Sequence, residues 1–272
     1  MRRIIYILPI FFGALMGGPV GAEQPVFDEM PRWKGGWGVQ VLQEYRLKPL
    51  SQENVGPFSS TPEEIHLTHI QGVYTWDKSI RITGKLPIVL HAVRGQPDSA
   101  NQVRKQKEQG IDDLTLALPL KRYFNLDGRS GSWTLAPQLR VPLGNRDDYN
   151  VHKHLWGNGL SLGYETETHR WLAGVGATTW HYWNQHPIEL DLEFHVGVNV
   201  FVFGTSGHIK WKNDLRFDTD GYLAYRGGPT LYWRIDDTWH GQIQWKHMFF
   251  ERKTPHPFQR GDSFRLGLAA IF

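Results

Sequence analysis

The chain of 272 residues contains no cysteine. This excludes a disulfide scaffold, a thiol nucleophile and a Cys-ligated zinc or iron–sulfur centre. Charge of one sign is also scarce. The net charge is +3 and the basic residues do not cluster, which argues against nucleic acid as a partner. Long apolar runs are missing apart from roughly residues 4–20, whose end is interrupted by Gly and Pro, so a helical membrane protein is not expected. Heptads rich in Ala, Glu and Lys are absent, which excludes a coiled coil. What the chain does have is 29 Gly, 12 Trp, 14 Phe and 10 Tyr, with 40% of residues apolar. That supply of large apolar side chains rules out disorder.

The N-terminus reads as an export signal. Met1-Arg2-Arg3 is a short basic region, Ile4 to Met16 an apolar one, and Val20-Gly21-Ala22 places small side chains at a signal-peptidase site, with cleavage after Ala22. The alternative is an N-terminal anchor helix, but the apolar core is short and lacks a stop-transfer flank.

Beyond it the apolar residues recur at every second position, the period of a strand with two unlike faces. The clearest stretch is Ile188, Leu190, Leu192, Phe194, Val196, Val198, Val200 and Val202, alternating with Glu189, Asp191, Glu193 and His195. A helix would bring Glu189, Glu193 and Leu192 onto one face. The same alternation recurs at Trp37–Val39–Val41–Tyr45, Ile80–Ile82–Leu86–Ile88, Leu114–Leu116–Leu118–Leu120 and Trp133–Leu135–Leu139–Val141. It returns at Leu160–Leu162–Tyr164, Ile209–Trp211–Leu215–Phe217, Leu231–Trp233–Ile235, Trp239–Ile243–Trp245–Phe249 and Phe264–Leu266–Leu268–Ala270–Phe272. Residues 64–76 and 171–182 mix their faces and are assigned as strands from context. Twelve strands result. Short connections near 76–79, 124–131, 166–170, 204–207 and 236–238 alternate with mostly longer polar ones near 48–62, 94–110, 144–158 and 251–262. An even strand count with short turns at one end is the pattern of an all-β, transmembrane, antiparallel up-and-down β-barrel.

A soluble lipocalin-like barrel also alternates and is also exported, but its eight strands leave about a hundred residues over. Three features favour a membrane barrel. The polar faces carry opposed charges on neighbouring strands, Glu189, Asp191 and Glu193 against Lys210, Lys212 and Arg216. Aromatic residues gather at strand ends: Trp37, Tyr45, Trp133, Tyr164, Trp171, Trp180, Tyr182, Tyr232, Trp233 and Trp239. Trp and Tyr favour the headgroup interface, where one end of the ring is apolar and the other wet. The chain also ends on alternating apolar residues and a terminal Phe272, similar to the assembly signal of outer-membrane barrels. The expected domains are therefore a signal peptide, 1–22, and an outer-membrane barrel, 23–272, of a Gram-negative bacterium. Outer-membrane lipids surround the barrel, and barrel-assembly machinery acts through Phe272.

Gly110-Ile111-Asp112-Asp113-Leu114-Thr115-Leu116 resembles the glycine-then-strand motif of the MetA-pathway phenol-degradation family of outer-membrane proteins. Thr75-Trp76-Asp77-Lys78-Ser79-Ile80-Arg81-Ile82 is similar to that family's tight turn leading into a strand. Asp112 stands where the family usually has Gly. The resemblance implies a barrel that passes small solutes, aromatic or apolar compounds among them. It implies no catalytic residues.

Parity places a polar set on the inner wall: Gln40, Glu44, Arg46, Arg81, Lys85, His91, Gln138, Arg140, Glu165, Glu189, Asp191, Glu193, His195, Lys210, Lys212, Asp214, Arg216, Gln242, Gln244, Lys246 and Arg265. Charges in a closed space need water or a partner. One reading is a hydrated passage that admits small solutes between acidic and basic sides. The other is a salt-bridged plug, and the 94–110 loop is long enough to fold inward. No cofactor is expected. Thirteen histidines raise a metal site, with His66 and His69 at i, i+3 and His152 and His154 on one side of an extended loop. No carboxylate stands at a ligand spacing, so solvated histidines are the expectation. A lipid-modifying barrel enzyme needs a Ser–His pair on adjacent strands. Ser161 points inward, and His169, His181 and His247 have no serine beside them in the pattern. A carboxylate pair from Glu189 and Glu193 would stand about 13 Å apart along the strand, too far for one site. Enzyme activity is not expected, and a non-conducting surface-interaction barrel is the remaining alternative.

Overall fold

The computed structural model describes residues 33–47, 64–97, 103–126, 129–143, 155–168, 170–183, 188–202, 207–219, 222–253 and 259–272. The expected leader, 1–22, and His152, His154, His169 and His186 lie outside the described residues. Every described element is a strand. In chain order these are β1 (Gly36–Leu47), β2 (Glu64–Thr75), β3 (Arg81–Pro97), β4 (Val103–Ile111), β5 (Leu114–Ala117), β6 (Leu120–Leu126) and β7 (Arg129–Val141). They continue with β8 (Gly157–Glu167), β9 (Trp171–Tyr182), β10 (Glu189–Val202), β11 (Gly207–Asp218), β12 (Tyr222–Arg234), β13 (Trp239–Lys253) and β14 (Gln259–Ile271).

All pairings are antiparallel between neighbours, and β1 bonds both β2 and β14, so the sheet closes on itself. The fourteen segments make a barrel of twelve strands. The reduction comes from β4, β5 and β6. β3 pairs with β4 over its distal half and with β5 nearer its start, and Ile80, just before β3, bridges Leu120. β5 and β6 both pair with β7. The three segments therefore occupy one position in the wall. Asp112-Asp113 and Leu118-Pro119 interrupt it, the second because proline has no N–H for the ladder. Two bonds keep its line through the gaps: the Asp112 N–H donates to the Pro87 carbonyl (3.0 Å) and the Leu118 N–H to the Pro137 carbonyl (3.0 Å).

One expectation changes here. Most of the stretch read as a polar loop, 94–110, is a hairpin, because β3 continues to Pro97 and β4 starts at Val103. The two strands with mixed faces are present as β2 and β9.

The closing seam needs a glycine. Gly36 has φ of +110°, and a side chain there would run into the Phe272 carbonyl. The Trp37 N–H donates to the Phe272 carbonyl at 3.2 Å, and the Phe272 N–H donates back to Trp37 at 2.8 Å.

The barrel is inside out relative to a soluble domain. Among the described residues, buried polar and charged side chains outnumber buried apolar ones, and the apolar clusters are small. Val39, Val41, Leu135, Leu162, Val198, Ile243, Leu266 and Leu268 are exposed on the outer face. In water such a continuous apolar surface is prohibitive. A twelve-residue strand such as β2 is about 40 Å long at ~3.3 Å per residue, and a tilt near 40° gives about 30 Å, the hydrocarbon thickness. Exposed aromatic rings mark both edges of this band. Trp37, Trp76, Trp133, Trp171 and Trp239 lie near the short turns, and Trp156, Trp183, Trp245, Phe249 and Phe264 lie toward the opposite end. Three rings expected in these girdles face inward instead. Trp180 and Tyr182 are fully buried opposite Gly159 and Gly157, and Tyr232 shares the inner face with Gln242 and His208.

Candidate functional site

The register decides which side chains share the interior, because directly opposed residues on adjacent antiparallel strands point the same way. Gln40, Glu44 and Arg46 on β1, Arg81 and Lys85 on β3, and Gln138 and Arg140 on β7 stand on the inner face. So do Glu189, Asp191, Glu193 and His195 on β10, Lys210, Lys212, Asp214 and Arg216 on β11, Gln242, Gln244 and Lys246 on β13, and Arg265 on β14. His91 is a correction. An extra residue in β3, opposite the His66/Leu67 step, flips the parity and sets His91 against His66 on the outer face.

The interior is organised by charge pairs that cross strands. Glu44 is the hub at the seam. It accepts from Arg46 on its own strand, lies 3.0 Å from His69 Nε2 on β2 and 3.2 Å from Arg265 Nη2 on β14. Asp214 on β11 meets Lys246 Nζ on β13 at 2.7 Å, two strands away. The strand between them, β12, puts Gly228 on the inner face opposite Lys212 and Arg226 opposite Asp214. Asp191 takes both Nη2 (2.5 Å) and Nε (3.1 Å) of Arg216. Nearer the turn end, Lys210 meets Glu167 at 2.6 Å and Lys121 meets Glu165 at 3.0 Å.

Neutral groups fill the gaps. Ser161 hydrogen-bonds to the Gln138 amide and lies 2.7 Å from Thr178 Oγ1. Gln244 donates to Thr230 at 2.8 Å. Arg140 lies 4.9 Å over the Trp180 ring and donates to the Tyr182 hydroxyl at 3.1 Å. Near the turn end, Tyr232 stacks between His208 and His240 and its hydroxyl is 2.7 Å from His240 Nδ1. Trp33, just before β1, lies under Arg81, whose guanidinium is 4.4 Å from the ring centroid.

Sequence parity missed Arg226, Lys121, Glu167 and His69. The first sits beside Gly227-Gly228-Pro229, which breaks the alternation, and the last is in the mixed β2. Among the described residues no three His, Asp or Glu side chains are placed to hold a metal ion. His66 and His69, three apart on a strand, point to opposite faces. Ser161 is on the inner face, while His247 is on the outer face 3.1 Å from Asp262.

A closed antiparallel barrel with an apolar, aromatic-edged outer wall and an interior of paired charged side chains is a transmembrane β-barrel. It is similar in structure to the COG4313 outer membrane channel from Pseudomonas putida F1, with TM-score 0.63 at 14% sequence identity over 92% of this chain and 100% of that one. It also matches a KdgM porin (TM-score 0.47, 8% identity, 86% of this chain and 99% of that one) and a NanC porin (0.48, 10%, 86% and 100%). At these identities the likeness is one of fold. No protein-family model and no curated protein matches the sequence.

Proposed function

We propose that this barrel is an outer-membrane channel that passes small solutes through its charge-lined interior. The observation that carries the proposal is the inner wall. A barrel that served as a plain scaffold needs no ionised groups inside, and replacing buried ion pairs by apolar side chains is often neutral or stabilising. Here Glu44, Asp191, Asp214, Arg46, Arg216 and Lys246 are all buried, Arg46 paired with Glu44 within β1 and the others paired across strands. Such a wall supports water and polar solute in place of the hydration shell. The finer part of the proposal is the solute. The resemblance of residues 110–116 to the MetA-pathway family points to aromatic or apolar compounds.

Purified protein refolded into a planar bilayer is expected to show discrete conductance steps. Charge reversal at Lys210, Lys212 or Arg216 is expected to shift the reversal potential in a salt gradient toward cations. Folded protein with no steps overturns the proposal.

A further inference from the structure

Five consecutive strands place cations on the inner wall in adjoining registers. They are Arg46 on β1, Arg265 on β14, Lys246 on β13, Arg226 on β12 and Lys212 on β11. The register runs through them: Arg46 faces Ser263, Ser263 faces Lys246, and Lys212 faces Gly228. Two carboxylates close the arc at its ends, Glu44 on β1 and Asp214 on β11. Arg226 lies within electrostatic reach of both Arg46 and Asp214, which ties the two ends together. Among the described residues, five cations and two carboxylates make up this stretch of wall.

The rest of the interior is balanced differently. Toward the turn end Lys210 meets Glu167 and Lys121 meets Glu165, one to one. Toward the loop end Asp191 meets Arg216, and Glu189 and Glu193 share its strand, so acids prevail there. Arg81, Lys85 and Arg140 on β3 and β7 are further inward cations, so what sets the arc apart is that its cations stand on adjacent strands. Small residues face the space beside it, Ser263 and Gly228 opposite the lysines and Gly267 two residues beyond Arg265 on β14. Clustered cations with low-dielectric walls focus field and concentrate counter-ions. Arginine forks suit the two oxygens of a carboxylate or phosphate.

We propose that this arc is an oxyanion-binding station, and that among small solutes, aromatic ones included, this barrel favours those that carry a carboxylate or phosphate group. The proposal rests on the channel reading above for its role in passage, but the binding itself is separable from it. The test uses the whole protein and three variants, Arg226→Gln, Arg265→Gln and the double variant, each checked for folding by heat-modifiable gel migration. Reversal potentials in a KCl gradient measure the preference for chloride over potassium. Calorimetric titration with succinate in neutral detergent measures binding without conduction.

The expected result is an anion preference in the unaltered protein that falls several-fold in the double variant, with saturable succinate binding that is lost with it. Conductance steps with a cation preference, or an anion preference and succinate binding that the double variant leaves unchanged, overturn the station and leave the channel reading intact. Succinate binding that the double variant abolishes, in a protein without conductance steps, keeps the station and removes the channel. Neither steps nor binding in folded protein overturns both.

Discussion

Gly228 matters through what it lacks. With no side chain on β12 beside Lys246, its ammonium reaches past that strand to Asp214, and both groups are buried. Removing one member of such a pair costs about 3–5 kcal/mol, whereas replacing both by apolar or neutral groups of similar shape is close to neutral. Asp214→Asn is thus expected to lower the urea midpoint of the folded barrel sharply. Lys246→Met added to it is expected to restore most of the loss. Equal losses in the single and double variants would show that the pair is not the stabilising unit. At this scale the sequence was readable wherever alternation ran unbroken. Lys246, Gln244 and Gln242 alternate with Trp245 and Ile243, so their side of the wall follows from period two alone. Arg226 does not, because two glycines and a proline follow it. Trp180 and Tyr182 read as girdle residues from their place at a strand end, yet they face inward for a different reason. Their room inside comes from Gly159 and Gly157 on another strand, and no local pattern reports what a facing strand leaves empty.

The turns show how individual elements are set. Three of the close connections use one device, in which a side-chain oxygen at the first turn residue accepts the N–H groups two and three residues on. Asp77 holds Ser79 and Ile80, Thr168 holds Arg170 and Trp171, and Asp236 holds Thr238 and Trp239. These Asx and ST turns fix the strand-to-strand register from the end. At Asp236 the N–H groups of Trp239 and Thr238 hold the carboxyl below the usual aspartate range. The sign follows from linkage: the stabilisation is fully present above the unfolded-state value of about 4 and is lost as pH falls through the lower folded value. A carboxyl chemical-shift titration in detergent micelles is expected to place the Asp236 midpoint below that of an aspartate in a short peptide. A midpoint at or above the peptide value would contradict the turn geometry. The fourth position in the wall was the least legible element. The alternation Leu114–Leu116–Leu118–Leu120 reads as one strand across Pro119, but that Val103–Ile111 continues the same line depends on the shared neighbour β3.

For the whole molecule, the two rings of exposed aromatics define where the bilayer begins and ends. Tryptophan emission quenched by brominated lipid depends on depth. Trp133, 60% exposed on the outer wall, is expected to lose its quenching on change to Phe, while Trp180→Phe is expected to leave the quenched fraction unaltered because that ring is sealed inside. Quenching that disappears with Trp180 would place this ring in contact with lipid. The class of fold was legible from strand count, connection lengths and the aromatic ends, since each is a property of the chain alone. The charge distribution around the interior was not, because it depends on which strands become neighbours.

The seam between β1 and β14 has a kinetic consequence. Every other pairing in the wall joins segments close in the chain, but this one joins residues as distant as Gly38 and Ile271. Contacts of such separation form late, because the intervening chain must be gathered first. Until β14 is seated, β1 and β13 both present open edges, each a template for pairing with the wrong chain. Maturation is therefore a single irreversible-looking latch rather than gradual growth. A chain that loses Gln259–Ile271 does not become a smaller barrel but a sheet with two sticky margins and an apolar face that has nowhere to hide.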